Sequence, residues 1–252
     1  MQISKLSKIF FELSNEYRME ILNILQDKTL SLNEISLQLN LPKSEIYRNL
    51  KRLVSIGLIF MNGKNRYELS PIGKVFLLYL KNLKFLEKYH QIFKSHDISL
   101  IPKEFQLLLG DLENVEVIEG TIEGFNLTVE RLKMAKSFEN IMTKEILLPF
   151  TEHVKKLIEK NLRIRILAPK SIKNEFHNYL VGISNKNIKI KIVDSVNIVI
   201  LGDESTAEFN LPFLNGEIDY SITFFAKNDK AVKWINGLFD YYWETLPGEI
   251  IF

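Results

Sequence analysis

Between residues 41 and 71, LPKSEIYRNLKRLVSIGLIFMNGKNRYELSP, six cations (Lys43, Arg48, Lys51, Arg52, Lys64 and Arg66) stand against two acids, Glu45 and Glu68. Clustered Lys and Arg without matching carboxylates suit a polyanion, because each cation that neutralises a phosphate releases condensed counterions. If Ile46, Leu50 and Leu53 turn inward on a helix, then Lys43, Ser44, Tyr47, Arg48 and Lys51 fall on its outer face or flank. Arg48 suits a bidentate contact with a guanine edge. Lys43 and Ser44 sit at the helix start, the end that enters the major groove when such a helix reads DNA. Lys64, Asn65 and Arg66 follow Gly63 at the tip of a turn, in reach of a neighbouring minor groove or of the backbone. The alternative for each of these residues is a merely solvated basic surface.

The imbalance is local. The 252-residue chain carries a net charge of +2, yet residues 1–95 hold 15 Lys and Arg against 8 Asp and Glu, and residues 96–252 hold 18 against 23. A half at +7 followed by a half at −5 is the pattern of a protein of which one part meets a polyanion. With 46% apolar and 25% charged residues, the composition is that of an ordinary globular protein. Cysteine is absent, which excludes disulfides, thiolate metal sites and cysteine nucleophiles. The first twenty residues do not read as a signal peptide and no apolar run is long enough to span a bilayer, so a cytoplasmic protein without membrane contact is expected.

The elements that must position these residues are legible. Leu6, Ile9, Phe10, Leu13, Tyr17, Ile21, Ile24 and Leu25 fall at helical intervals, which predicts one long helix from Ser4 to Asp27 or two joined near Asn15. Ser31 with Glu34 forms a capping box for a second helix, which stops by Asn40 because Pro42 disfavours helical geometry at Leu41. A third helix starts near Pro42 and ends at Gly57. LIFMN and NRYEL around Gly63 and Lys64 predict a β-hairpin. Two short helices joined by a tight turn outline a helix-turn-helix, and the hairpin adds a wing.

The segment SLNEISLQLNLPKSEIYRNLKRLVSIGLIFMNGKNRYELSPIG resembles the winged-helix domain of ArsR-like archaeal transcription regulators. LKRLVSIGLI matches the family's L-x-x-L-x-x-x-G-L-I ending and YELSPIG its exit from the wing. The resemblance covers roughly residues 5 to 90 and implies binding to double-stranded DNA.

From Ser70 and Pro71 a fourth helix is expected to run to about Phe93, with Ile72, Phe76, Tyr79, Leu83, Leu86, His90 and Phe93 along one seven-residue stripe. That seam suits a homodimer helix, and packing on the protein's own second domain is the other reading. Strands are expected at VEVIE, FENIM, LRIRILA, IKIKIV, VNIVIL and YSITFFA, with helices over Thr128–Lys136, Phe150–Lys160 and Ser171–Val181. This alternation predicts a largely parallel sheet with helices on its faces. The closing helix, DKAVKWINGLFDYYWE, presents Val232, Ile235, Phe239 and Tyr242 as a core face. HDISLIP, EVIEG and LFDYYWE together resemble the second domain of the archaeal methanogenesis regulatory proteins, which implies an effector-sensing role without naming the effector.

Ligands of layered α/β sheets bind at the carboxyl ends of strands. Thr143 and Lys144 after FENIM, Lys170 after LRIRILA and Asp194 after IKIKIV are the ligand-binding candidates on that rule. Enzymatic readings fare poorly. A phospholipase-D-like site needs H-x-K-x-x-x-x-D, but His153 is followed at the acid position by Lys160, and His177 lacks the lysine. His90, His96 and Asp97 supply metal ligands only if a dimer or a bend gathers them. Neither G-x-G-x-x-G nor G-x-x-x-x-G-K-[ST] occurs. No cofactor, metal or catalytic residue is expected.

The expected fold class is an α+β winged helix-turn-helix N-terminal domain followed by an α/β layered sensor domain. Its divisions fall at residues 1–70, a linker or dimerisation helix at 71–95, and an effector-sensing domain at 96–252. The expected function is sequence-specific transcription regulation under a small-molecule effector, with a winged-helix protein-interaction module as the alternative.

Overall fold

The computed structural model describes residues 3–146, 148–175 and 187–251, apart from the side chains of 3–5 and 148–150. It divides into two compact units, Met1–Leu83 and Lys84–Phe252. The division falls inside the fourth predicted helix rather than at its ends.

In the first unit, Asn15 breaks the opening helical stretch into α1 (Ile3–Leu13) and α2 (Glu16–Ile24), its side chain accepting from the Arg18 amide. Ser31 and Glu34 form the expected capping box at the start of α3 (Leu32–Leu39). That helix ends on Asn40, whose φ of 50° is left-handed. After Pro42 comes α4 (Lys43–Ser55), and then β1 (Ile59–Met61) pairs antiparallel with β2 (Tyr67–Leu69). The chain leaves the wing through Ser70, whose hydroxyl donates to Gly57 O at 2.6 Å and accepts from Gly73 N at 3.0 Å, and enters α5 (Pro71–Lys88). Gly73 is required there: a Cβ would stand 1.9 Å from the Leu58 carbonyl oxygen. Ile21, Leu22, Ile35, Ile46, Leu50, Leu53, Leu58 and Leu77 share one core. Each such burial contributes about 1.5–3 kcal/mol, which fixes α4 against its neighbours.

The expected seam does not run the length of α5. Ile72, Tyr79 and Leu83 are 53%, 56% and 50% exposed in the first unit. After α5 ends, a short α6 (His90–Phe93) follows, and Leu86 and Phe93 pack into the core of the second unit.

The second unit continues through α7 (Lys103–Gln106), β3 (Glu116–Glu119), α8 (Thr121–Met134), β4 (Phe138–Met142), α9 (Leu148–Glu159), β5 (Arg163–Pro169) and β6 (Ile188–Val193). It closes with β7 (Val199–Gly202), β8 (Ala207–Asn210), β9 (Ile222–Ala226), α10 (Asp229–Thr245) and β10 (Gly248–Ile250). The eight strands form one sheet in the order β10-β6-β5-β4-β7-β8-β9-β3.

Only β4–β5 and β5–β6 pair in parallel, so the expectation of a largely parallel sheet is corrected to a mixed one. The reason is connection length: the short links on either side of β7 turn the chain back at the same end of the sheet, so β7 runs opposite to both β6 and β8, whereas a parallel strand needs a crossover of a dozen or more residues. Strands β8 and β10, four and three residues long, were not expected from the sequence. Helix α8 starts earlier than the predicted Thr128, and the predicted helix Ser171–Val181 lies partly outside the described residues.

Successive strand residues face opposite ways. Met142, Leu167, Ile200, Phe209 and Phe224 pack with Trp234, Ile235 and Phe239 of α10, so the aromatic face of the last helix is core as expected. On the other face, Ile141, Ile164 and Ile166 meet Leu132 of α8 and Leu157 of α9. The unit is thus a helix–sheet–helix sandwich.

Candidate nucleic-acid interface

Helix α4 is held from beneath by Ile46, Leu50 and Leu53 and by one buried polar residue, Asn49. Asn49 Oδ1 accepts from Arg18 Nη1 at 3.2 Å, while Arg18 Nε donates to the Glu12 carbonyl and lies 3.4 Å from the Glu12 carboxylate. Burial lowers the Arg18 pKa against the pull of Glu12. The buried Arg18–Glu12–Asn49 set fixes the rotation of α4. The sequence reading missed it, although a polar Asn49 amid the apolar positions of α4 was the available signal.

That rotation presents Lys43, Ser44, Tyr47, Arg48 and Lys51 together on the exposed face. Lys43 and Ser44 form the first turn, where the positive end of the helix dipole adds to the attraction for phosphate. The α4 residues predicted from spacing thus share one surface.

The wing is shaped by Asn62. Its side-chain oxygen accepts from Lys64 N at 3.0 Å and Arg66 N at 3.2 Å, and its backbone N–H donates to Arg66 O at 2.8 Å. Asn65 takes the left-handed conformation, φ 55°, that closes the turn. Lys64 and Asn65 are exposed at the tip. Arg66 is engaged elsewhere. Its guanidinium turns back to the Thr29 carbonyl at 2.8 Å and to the Glu34 carboxylate at 2.9 Å, tying the wing to the start of α3. The Ser31 amide and hydroxyl, followed by Arg66, hold Glu34 well below the ordinary carboxylate range, at about 2.

In the second unit the four ligand-binding candidates do not converge. Thr143 lines a cavity of about 250 Å³ between the sheet and helices α8 and α9. Lys144 is half-buried beside Thr143 but does not line that cavity. Lys170 and Asp194 pair with each other at 2.6 Å on the surface, 70% and 77% exposed. The carboxyl-end rule presumes an open parallel sheet, and here residues 194–198 cross that end on their way from β6 to β7.

Three of the four histidines lie within the described residues. His96 is buried, with Nε2 2.9 Å from Asp219 Oδ2, and exposed His90 has Nδ1 2.7 Å from the Glu87 carbonyl. His153 is half-buried on α9, and His177 lies outside the described residues. Among the described residues no helix is long and apolar enough to cross a membrane.

Residues 13–59 match the helix-turn-helix domain family. No curated protein sequence matches the chain. Among solved structures, the chain is similar to TrmBL2, described as an archaeal chromatin protein with a novel mode of DNA binding, at 16% identity and a TM-score of 0.44, over 93% of this chain and 94% of that one. It is also similar to HlyU from Vibrio cholerae N16961, at 29% identity and a TM-score of 0.30, over 33% of this chain and 97% of that one. A third likeness is to the homodimeric winged helix-turn-helix domain of Mb0332 from Mycobacterium bovis, a possible ArsR-family regulator, at 20% identity and a TM-score of 0.31, over 35% and 82% of the two chains. The first unit is a winged helix-turn-helix domain of the kind that DNA-binding transcription regulators carry, and an α/β unit with a large mixed sheet follows it.

Proposed function

We propose that the protein is a sequence-specific, double-stranded-DNA-binding transcription regulator rather than an enzyme, that it acts as a homodimer, and that its second unit takes a small-molecule effector. The observation that carries this reading is the exposed row Lys43, Ser44, Tyr47, Arg48 and Lys51 on a helix whose rotation is fixed by buried Arg18 and Asn49. Arg48 reads a base edge, Lys64 and Asn65 follow the backbone, and Arg66 orders the wing. The resemblance of the second half to the regulatory domain of methanogenesis regulatory proteins supports the effector role, and the exposed Ile72, Tyr79 and Leu83 support the dimer.

The test is binding of the full chain to the DNA upstream of its own coding sequence against a scrambled duplex of equal length, across a salt series. The expected result is a complex specific for the upstream duplex that survives moderate salt and is lost with Arg48→Ala. Equal, steeply salt-sensitive binding to both duplexes sinks the reading, because phosphate contacts alone carry no sequence information.

A further inference from the structure

The cavity between the sheet and helices α8 and α9 has an apolar wall and an acidic floor. Phe125, Ile141, Val154 and Ile166 line the wall, and Glu208, on the inward face of β8, lies at the floor. Glu208 is 1% exposed. Its Oε1 accepts from the Thr128 hydroxyl at 2.5 Å, and its Oε2 has no hydrogen-bond partner among the described residues. The Tyr220 hydroxyl, on the same lining, is buried and likewise unpartnered.

Behind the floor, Arg131 is the single cation among three buried carboxylates. It grips Glu139 with two hydrogen bonds, 2.6 and 3.1 Å, and donates to Asp203 at 3.2 Å. Asp203 is further satisfied by the Ser205 and Thr206 amides and hydroxyls. Glu208 receives the least: Arg131 Nε lies 3.7 Å from its Oε2, beyond hydrogen-bond range. With all four groups ionised the cluster carries two negative charges in excess, and the excess lies on the side that faces the cavity.

A buried carboxylate whose hydrogen bonding is incomplete is costly, and it is stabilised by a proton or by a cation that also hydrogen-bonds. Burial, ahead of the opposing pull of Arg131, raises the Glu208 pKa. The cavity lining is mainly apolar, with Glu145, Lys155 and Asn210 among its polar members, and at about 250 Å³ the cavity sits just below the usual size for a drug-like ligand. A hydrated metal ion has no use for such walls.

We propose that this cavity binds a small organic ammonium ion, its apolar body among Phe125, Ile141, Val154 and Ile166 and its charged head toward the Glu208 and Tyr220 side chains, which line the same cavity. The inference deepens the effector reading of the second unit and rests on that reading only for its consequence at DNA.

The test uses the full chain and three probes of one shape, phenethylamine, phenethyl alcohol and phenylacetate, followed by calorimetry near neutral pH. The amine is expected to bind at least about tenfold more tightly than the alcohol, and the carboxylate not at all. In Glu208→Gln the amine loses that advantage while the alcohol is unaffected, and Val154→Phe, which places a ring in the cavity, weakens both. Should Glu208→Gln fail to fold, the three-probe ranking on the parent protein still decides. Equal or tighter binding of the alcohol or the carboxylate overturns the assigned class. If none of the probes binds while specific DNA binding is intact, the site is overturned and the regulator stands; if the amine binds and no specific DNA complex forms, the site stands and the regulator falls.

Discussion

Two arginines of the same basic run stand in opposite settings, and the difference is in what each guanidinium touches. Arg48 is exposed on α4, whereas Arg66 is committed to Thr29 and Glu34. Arg48→Ala is expected to cost about 1–3 kcal/mol on the cognate duplex and to relax one base position, read by a binding assay over single-base variants. Lys64→Ala is expected to weaken all duplexes alike and to reduce the salt slope by about one phosphate contact. Arg66 makes a different prediction, through Glu34. That carboxyl is held at about 2 in the folded protein, so its contribution to stability is present above the unfolded value of 4.5 and is lost as pH falls toward 2. Carboxyl-carbon NMR should place the midpoint near that value. Because the Ser31 amide and hydroxyl weigh more than Arg66, Arg66→Ala should raise the midpoint only in part, and a full return to the ordinary range would show that the capping box is not formed.

At the scale of elements, the exit from the wing is the most constrained point of the first unit. Gly73 lies against the Leu58 carbonyl, backbone to backbone, and neither side can yield without moving α5 or β1. Gly73→Ala is expected to destabilise the first unit by about 1–3 kcal/mol in denaturant unfolding, in spite of alanine's better helix propensity. Unchanged stability would mean that α5 is free to shift there. This first unit was legible because its signals are local: a capping box at Ser31, a proline at 42, glycines at 57 and 63, and apolar residues at helical spacing. The second unit was less so. FENIM and IKIKIV read as strands from five or six residues, but whether neighbours run parallel depends on the lengths of connections elsewhere in the chain. The carboxyl-end rule touched its cavity at Thr143 alone and otherwise drew attention to Lys144 and to Lys170 and Asp194, which merely pair with each other. The usable signal was different: Arg131, Glu139 and Glu208 are charged residues at inward positions of three elements, and charges in such places need partners or a purpose.

For the molecule as a whole, the proposed function turns on the number of winged helices that would meet DNA at once. Ile72, Tyr79 and Leu83 recur at helical spacing on α5, each about half exposed or more, and Phe10 and Phe11 of α1 are 53% and 63% exposed. Apolar side chains repeated along one helix stripe are a surface that a second copy can cover. A homodimer joined there engages two half-sites, conventionally about 34 Å apart, and the second contact becomes intramolecular once the first is made. Tyr79→Glu with Leu83→Glu is therefore expected to convert a dimer to a monomer in sedimentation velocity, with helical content preserved by circular dichroism. The monomer should retain the base preferences set by Arg48 on an isolated half-site, yet bind the full site about 10²–10⁴-fold more weakly, the factor that linkage supplies. A double variant that stays dimeric places the interface elsewhere, and a monomer that binds the full site as tightly as the parent means that a single winged helix reads the operator.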